Sequence, residues 1–322
     1  VAWRLVRATV LLLGVSLLCF LFTEMAPGSF FDEMRLNPQV SPETITALRA
    51  RYGLDQPLIV RYGRWVTSVA RGDFGYSIAY NTPVAGLLWT RARNTLLLTT
   101  TALFLAWLIA VPMGIWTATW RGRWPDRLAA LGNSVLISVP EIVLAIGLLA
   151  VAVRTRFLPV GGMMSIDFAD LTFWGKVTDM VRHMLLPGTI LVLGTIPVIA
   201  RHVRASVLEV LDAPFVRAAR GLGIGNARLL LRHVMPVAAN PAISLLGFSI
   251  ASLLSGSLLV EVTTGWPGLG PLILDATFSR DLYVVISGIM LSALFMVGGN
   301  FIADLLLLAL DPRIRAGGPD AA

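Results

Sequence analysis

Apolar residues in this chain gather into long runs rather than alternating with polar ones. Six runs, at about 5–24, 93–120, 127–153, 184–205, 241–262 and 284–309, are each long enough to form a membrane-spanning helix. A helix needs about 20 apolar residues to cross a bilayer's hydrocarbon core. The pattern therefore predicts an all-α polytopic membrane protein with six transmembrane helices. The longest polar interval, 25–92, has helix signals of its own. Ser41-Pro42-Glu43 supplies an N-cap, a first-turn proline and a favourably placed acid, opening a short helix toward Arg51 with a stop at Gly53. Pro57 starts a second helix, through Trp65, that ends near Gly72. A small helical domain thus follows the first span. Between the fifth and sixth spans, "GWPGLG" (265–270) sets Pro267-Gly268 at turn positions and predicts a tight loop.

Composition strengthens this picture. The chain is 56% hydrophobic and 14% charged, with a mean hydropathy of +0.76, whereas a soluble domain carries roughly 25% charged residues. A net charge of +7 could indicate nucleic acid, but much of the basic charge lies between apolar runs. Arg121, Arg123 and Arg127 follow the second run, and six arginines occupy 201–233 against Glu209 and Asp212. With Arg4, Arg7, Arg313 and Arg315 they fall on one side of a six-span chain. The positive-inside bias then places both termini in the cytoplasm and the 25–92 loop outside. The first run could also be a signal peptide, but the pattern around Thr23 to Pro27 suits cleavage poorly, and an uncleaved span is expected.

Several chemistries are disfavoured. Cys19 is the single cysteine, and His183, His202 and His233 show no metal-ligand spacing. Lys176, the single lysine, lacks a Walker A context, so no ATP site is expected in this chain. Hydrolase and metalloprotease motifs are missing, and no internal repeat of the kind common in secondary transporters is visible.

The stretch "FVRAARGLGIGNARLLLRHVMP" (215–236) interrupts the apolar pattern. A G-x-G-x-G sequence can cradle phosphate, but only after a strand in a βαβ unit, and here it lies between two spans. Two mechanical readings stay open. Helices over 206–222 and 226–235, joined at the glycines, form either a basic pair resting on lipid headgroups or a turn gripped by a soluble partner.

This stretch resembles the "EAA" loop of permease subunits in binding-protein-dependent ABC importers, particularly the peptide-transport branch. Arg217 takes the Glu place, Ala218 and Ala219 the alanines, Gly223 the glycine and Pro236 the proline, while His233 and Met235 replace Ile and Leu. "GLDQPL" (53–58), "GDFGYS" (72–77), "RASVLEVL" (204–211), "GWPGLG" (265–270) and "LDPRIR" (310–315) are similar to dipeptide/oligopeptide permease signatures in the same order. The resemblance implies a first helix and outer loop over 1–92, and a permease transmembrane domain over 93–322 with a coupling loop at 206–236. It implies an ATPase-docking site at Arg217, Ala218, Ala219, Arg220, Gly221, Gly223, Gly225 and Arg228. It also implies a second homologous permease, two cytoplasmic ATPases that hold ATP and magnesium, and an extracytoplasmic substrate-binding protein, all at a bacterial cytoplasmic membrane. The implied solute is a short peptide, with nickel, glutathione or an oligosaccharide as alternatives in the same machinery. A stand-alone secondary transporter is the rival from another class.

Within the spans, Gly247, Ala251 and Ser255 recur every four residues, which suits close helix packing. Ser249, Ser252 and Ser257 are candidates to line a wet pathway. Asp304, late in the sixth span, is expected to pair with Arg201 or Arg204. Glu141 follows Pro140 near the middle of the third span. It is either a protonated acid bonded to a backbone carbonyl that the proline frees, or an ionised group facing the conduit.

Overall fold

A computed structural model describes residues 2–25, 34–35, 41–51 and 55–310. The stop expected at Gly53 and most of the 310–315 signature, with Arg313 and Arg315, lie outside these residues. The described chain is overwhelmingly helical. It contains five helices long and apolar enough to cross a membrane, or six if one bent pair is a single span. Packing divides it into two units, Val1–Thr95 with Pro267–Phe295, and Leu96–Trp266 with Met296–Ala322.

In the first unit, α1 (Ala2–Met25) is followed by α2 (Pro42–Arg51) and α3 (Leu58–Val69). The N-cap signal holds: Ser41 Oγ accepts from the Thr44 N–H at 3.2 Å. Hydrogen bonds from its own backbone N–H and from Ser41 hold the Glu43 carboxyl below the ordinary carboxylate range. Phe20 of α1 and Trp65 of α3 bury each other with Ile286, and Tyr62 meets the Phe20 ring edge-on at 5.3 Å. A two-strand hairpin, β1 (Tyr76–Ser77) and β2 (Thr82–Pro83), pairs Tyr76 with Pro83. Asp281 fixes this hairpin, accepting from Ser77 Oγ at 2.6 Å and from the Ala79 N–H at 3.1 Å.

The second unit is built on three long helices: α4 (Val84–Thr119), whose later part belongs here, α7 (Phe173–Leu211) and α10 (Met235–Thr264). Ala102, Ala106 and Ala110 of α4 are buried in one core with Ile190, Leu191 and Ile199 of α7. Gly114 permits the close crossing, since a Cβ there would lie 2.8 Å from the Ala200 carbonyl oxygen. Both α4 and α7 begin well before their apolar runs, because hydropathy registers only the apolar part of a helix. Their added turns carry Arg91 in α4, and Lys176, Asp179 and Arg182 in α7.

The third apolar run is not one helix. α5 (Trp124–Ser138) stops, Val139 and Pro140 are extended, and α6 (Glu141–Thr155) departs at 98°. Proline disfavours the helical region for the residue before it, and Val139 accordingly has φ −89° and ψ 118°.

The 206–222 helix is likewise broken. α7 ends at Leu211, Ala213 is extended before Pro214, and α8 (Pro214–Gly221) begins there. α9 (Asn226–Leu229) then runs through a π-helical turn at Leu230–Val234 into α10. Pro236 offers no N–H to the Arg232 carbonyl one turn back, and the helix widens at that point. After α10, Gly265 turns the chain with φ +66°. The expected tight loop is followed by a short apolar helix, α11 (Leu269–Phe278), which the sequence reading lacked, and then by α12 (Leu282–Leu310).

Candidate functional site

The glycine-rich turn forms an exposed knuckle with two buried anchors. Val216 on α8 and Leu229 on α9 are fully buried. On the opposite side, Phe215, Ala218 and Leu222 follow i, i+3, i+7 spacing and lie exposed. Leu222, at the tip, is 82% exposed. Arg217, Arg220 and Arg228 are exposed around this apolar ridge, while Ala219 is half-buried against the core. The turn closes as a Schellman motif, with the Ile224 N–H on the Ala219 carbonyl and the Gly223 N–H on the Arg220 carbonyl. Gly223 alone of the three glycines has a positive φ, +78°; Gly221 ends α8, and Gly225 is extended ahead of α9. Behind the knuckle lies a cavity of about 420 Å³, bordered by Thr119, Arg121, Leu208, Asp212, Arg220 and Asn226 among others.

Two ion pairs tie this region to the loop after α4 and the first turn of α5. Asp126, 5% exposed, accepts from Arg204 Nε at 2.6 Å and Nη2 at 2.8 Å, and from the Gly122 N–H at 2.9 Å. Arg121 meets Asp212 at 2.7 Å on the surface. The expected pairing of Asp304 with Arg201 or Arg204 is corrected here. Arg204 gives its bonds to Asp126, which lies buried and negative at the start of α5. Arg201 is exposed and makes no ion pair among the described residues. Asp304 is half-buried in α12.

The pathway candidates separate. Ser249 and Ser257 are buried, and their hydroxyls donate to the Leu245 and Leu254 carbonyls of their own helix, so neither lines an open conduit. Burial without another partner drives a serine back onto its helix. Ser252 is exposed. Gly247 follows the packing reading, since a Cβ there would sit 2.8 Å from Asn300 Oδ1. Glu141 opens α6, and its carboxylate rests against Gly256 of α10 and Gly194 of α7. It accepts no hydrogen bond from any described residue. Sequence reasoning missed Asp126, Leu222 and the break itself. The Val139-Pro140-Glu141 triplet carried a usable signal for the break.

Comparisons with known proteins agree with this architecture. Residues 110–316 match the family described as "Binding-protein-dependent transport system inner membrane component", and residues 1–99 match its N-terminal family. The oligopeptide transport system permease protein AppB of Bacillus subtilis (strain 168) is 32% identical, covering 97% of this chain and 98% of that one. The glutathione transport system permease protein GsiC of Salmonella paratyphi A is 35% identical over 97% of each chain. A putative peptide permease of Brucella ovis is 33% identical over 97% of each. Among solved structures, an inward-facing conformation of the MetNI methionine ABC transporter aligns with a TM-score of 0.56 at 18% identity, covering 70% of this chain and 96% of that one.

Proposed function

The chain belongs to the family of binding-protein-dependent transport system inner membrane components, and from that premise we propose that it forms half of the translocation pathway of an ATP-driven importer of short peptides. Membership makes it a multi-pass inner-membrane transport subunit and implies an ATPase and a binding protein as partners. A second permease of the same kind completes the pathway, and two cytoplasmic ATPases hold the ATP and magnesium. An extracytoplasmic protein delivers the solute. Both termini and the 212–235 knuckle face the cytoplasm in this reading, which the arginine distribution supports. The names of the relatives support a peptide solute; glutathione, itself a tripeptide, is the second reading.

The observation that carries this reading is the knuckle. An apolar ridge of Phe215, Ala218 and Leu222, ringed by arginines and held from behind by Val216 and Leu229, is built to seat in a groove of another protein. Closure of the ATPases around ATP pulls the knuckle. Arg121–Asp212 and Arg204–Asp126 pass the displacement to α5, and the break at Val139-Pro140 gives α5 and α6 a joint at which to move.

Gly223 provides the test. Its φ of +78° is outside proline's reach, which is fixed near −65°. Gly223→Pro should leave membrane insertion intact while co-purified ATPase, or ATP-coupled peptide uptake in proteoliposomes, falls to background. Uptake and ATPase recovery at wild-type levels would refute the docking role. Competition by glutathione against tri-alanine decides between the two solute readings.

A further inference from the structure

The carboxylate of Glu141 is placed where a charge is costly, and nothing in the described structure neutralises it. Three helices of one unit meet there: α6, which Glu141 opens, α7 at Gly194 and α10 at Gly256. Gly256 leaves the carboxylate space that a side chain would take, and Gly194 lies in ordinary contact with it. A Cβ at Gly256 would stand 2.6 Å from Oε2 and 3.1 Å from Oε1, and one at Gly194 would stand 3.7 Å from Oε1. Alanine at position 256 would therefore displace the acid. Glu141 is half-buried and Gly194 exposed, so the notch opens outward from the unit.

Lipid is the wrong occupant for that opening. An ionisable side chain within a span faces protein or a water-filled cavity, because hydrocarbon cannot solvate it. The broken backbone adds an independent argument. Val139 and Pro140 are extended at a 98° bend within an apolar run. Non-helical backbone at membrane depth persists only where it is buried in protein or lines a wet cavity. Helical spacing also sets a hydroxyl beside Gly256. Ser252 lies one turn from Gly256 on the same stripe of α10, is exposed, and hydrogen-bonds to no described residue.

We infer that this notch is a water-accessible subsite of the pathway, in which Glu141 receives the cationic group of the solute, an ammonium or a guanidinium. The inference rests on the importer reading and adds the chemistry that the pathway selects. Gly194 and Gly256 keep side chains off the two flanking helices, so a compact ammonium can reach the carboxylate, and Ser252 can accept a second of its hydrogen bonds. A cation supplied by the companion permease would instead make Glu141 a subunit-interface residue; the experiment separates the two.

The first arm uses the complete complex in proteoliposomes with its binding protein and ATP. Uptake of tri-alanine and of N-acetyl-tri-alanine is compared for wild type, Glu141→Gln and Glu141→Asp. The binding protein's own preference is common to all three and cancels. Glu141→Gln should reduce the free-amine to acetylated ratio about tenfold, and Glu141→Asp should retain most of it. An equal loss for both peptides, or loss of the companion permease on purification, would overturn the assignment in favour of an interface role.

The second arm needs no transported solute. In a Cys19→Ala background, Ser252→Cys is reacted with cationic aminoethyl and anionic sulfonatoethyl methanethiosulfonate. Neutralising Glu141 with Gln should lower the cationic to anionic rate ratio about three- to tenfold, as expected for a charge roughly one helical turn away in partly hydrated surroundings. No reaction with either reagent, or an unchanged ratio, would show that the notch is sealed or uncharged and would overturn the inference. Wild-type complex that takes up neither peptide would refute the peptide reading alone, since the labelling ratio still reports on the notch.

Discussion

The Asp126–Arg204 pair offers a graded test of how the knuckle region is held. Asp126 is 5% exposed and accepts three hydrogen bonds, two from Arg204 and one from the Gly122 N–H. The Arg204 side chain is 34% exposed and reaches water at one edge. The two single substitutions should therefore differ. Arg204→Gln strands a buried carboxylate, and breaking a buried pair in that way costs about 3–5 kcal/mol. Asp126→Asn leaves an oxygen for Gly122 and releases an arginine that can turn toward solvent. Its cost should stay near the 1.5–3 kcal/mol of a hydrogen bond to a charged group, roughly halved by that exposure. At about 2–3 °C per kcal/mol for a chain of this size, Arg204→Gln lowers the apparent midpoint of the purified complex by about 6–15 °C and Asp126→Asn by about 2–4 °C. Unfolding from detergent is irreversible, so midpoints are compared at one scan rate. The double variant should lose less than the sum of the singles, by about 1–3 kcal/mol. If Asp126→Asn proves as damaging as Arg204→Gln, or the double is additive, the clamp is not the support described here.

Two further outcomes follow from the geometry. Gly256→Ala pushes a methyl group against the flexible end of Glu141 and should turn the carboxylate aside at a cost of about 0.5–1.5 kcal/mol; combining it with Glu141→Ala should restore most of the lost thermal midpoint, and failure of that rescue would place the strain elsewhere. Leu222→Asp puts a charge at the tip of the apolar ridge and should weaken ATPase association at least tenfold, about 1.4 kcal/mol, while the permease's own midpoint stays unchanged; undiminished co-purification of ATPase at low protein concentration would rule Leu222 out of the contact.

Much of this protein was legible in the chain because the signals are local. A helix in a membrane must satisfy its own backbone, so each apolar run announces a helix whatever surrounds it. Ser41 caps α2 through a bond to Thr44, three residues away, and Gly223 turns the chain because its neighbours allow no other geometry there. The turn at 215–223 was likewise readable, since Arg217, Ala218 and Gly223 sit in one short pattern.

What the tertiary structure decided depends on groups brought together from far apart in sequence. On sequence grounds helix depth offered Asp304 to Arg204, and neither depth nor motif pointed to Asp126. It pairs with Asp126 because α5 starts beside α7. The five serines and two glycines of α10's 244–257 stretch look alike along the chain, but burial turns Ser249 and Ser257 back onto their helix and leaves Ser252 outside. Glu141 was visible as a costly acid beside a proline, but nothing local pointed to Gly194 and Gly256, which pack against it from two other helices. Hydropathy records what each residue prefers to be near. Only the packed helices determine which residue it meets.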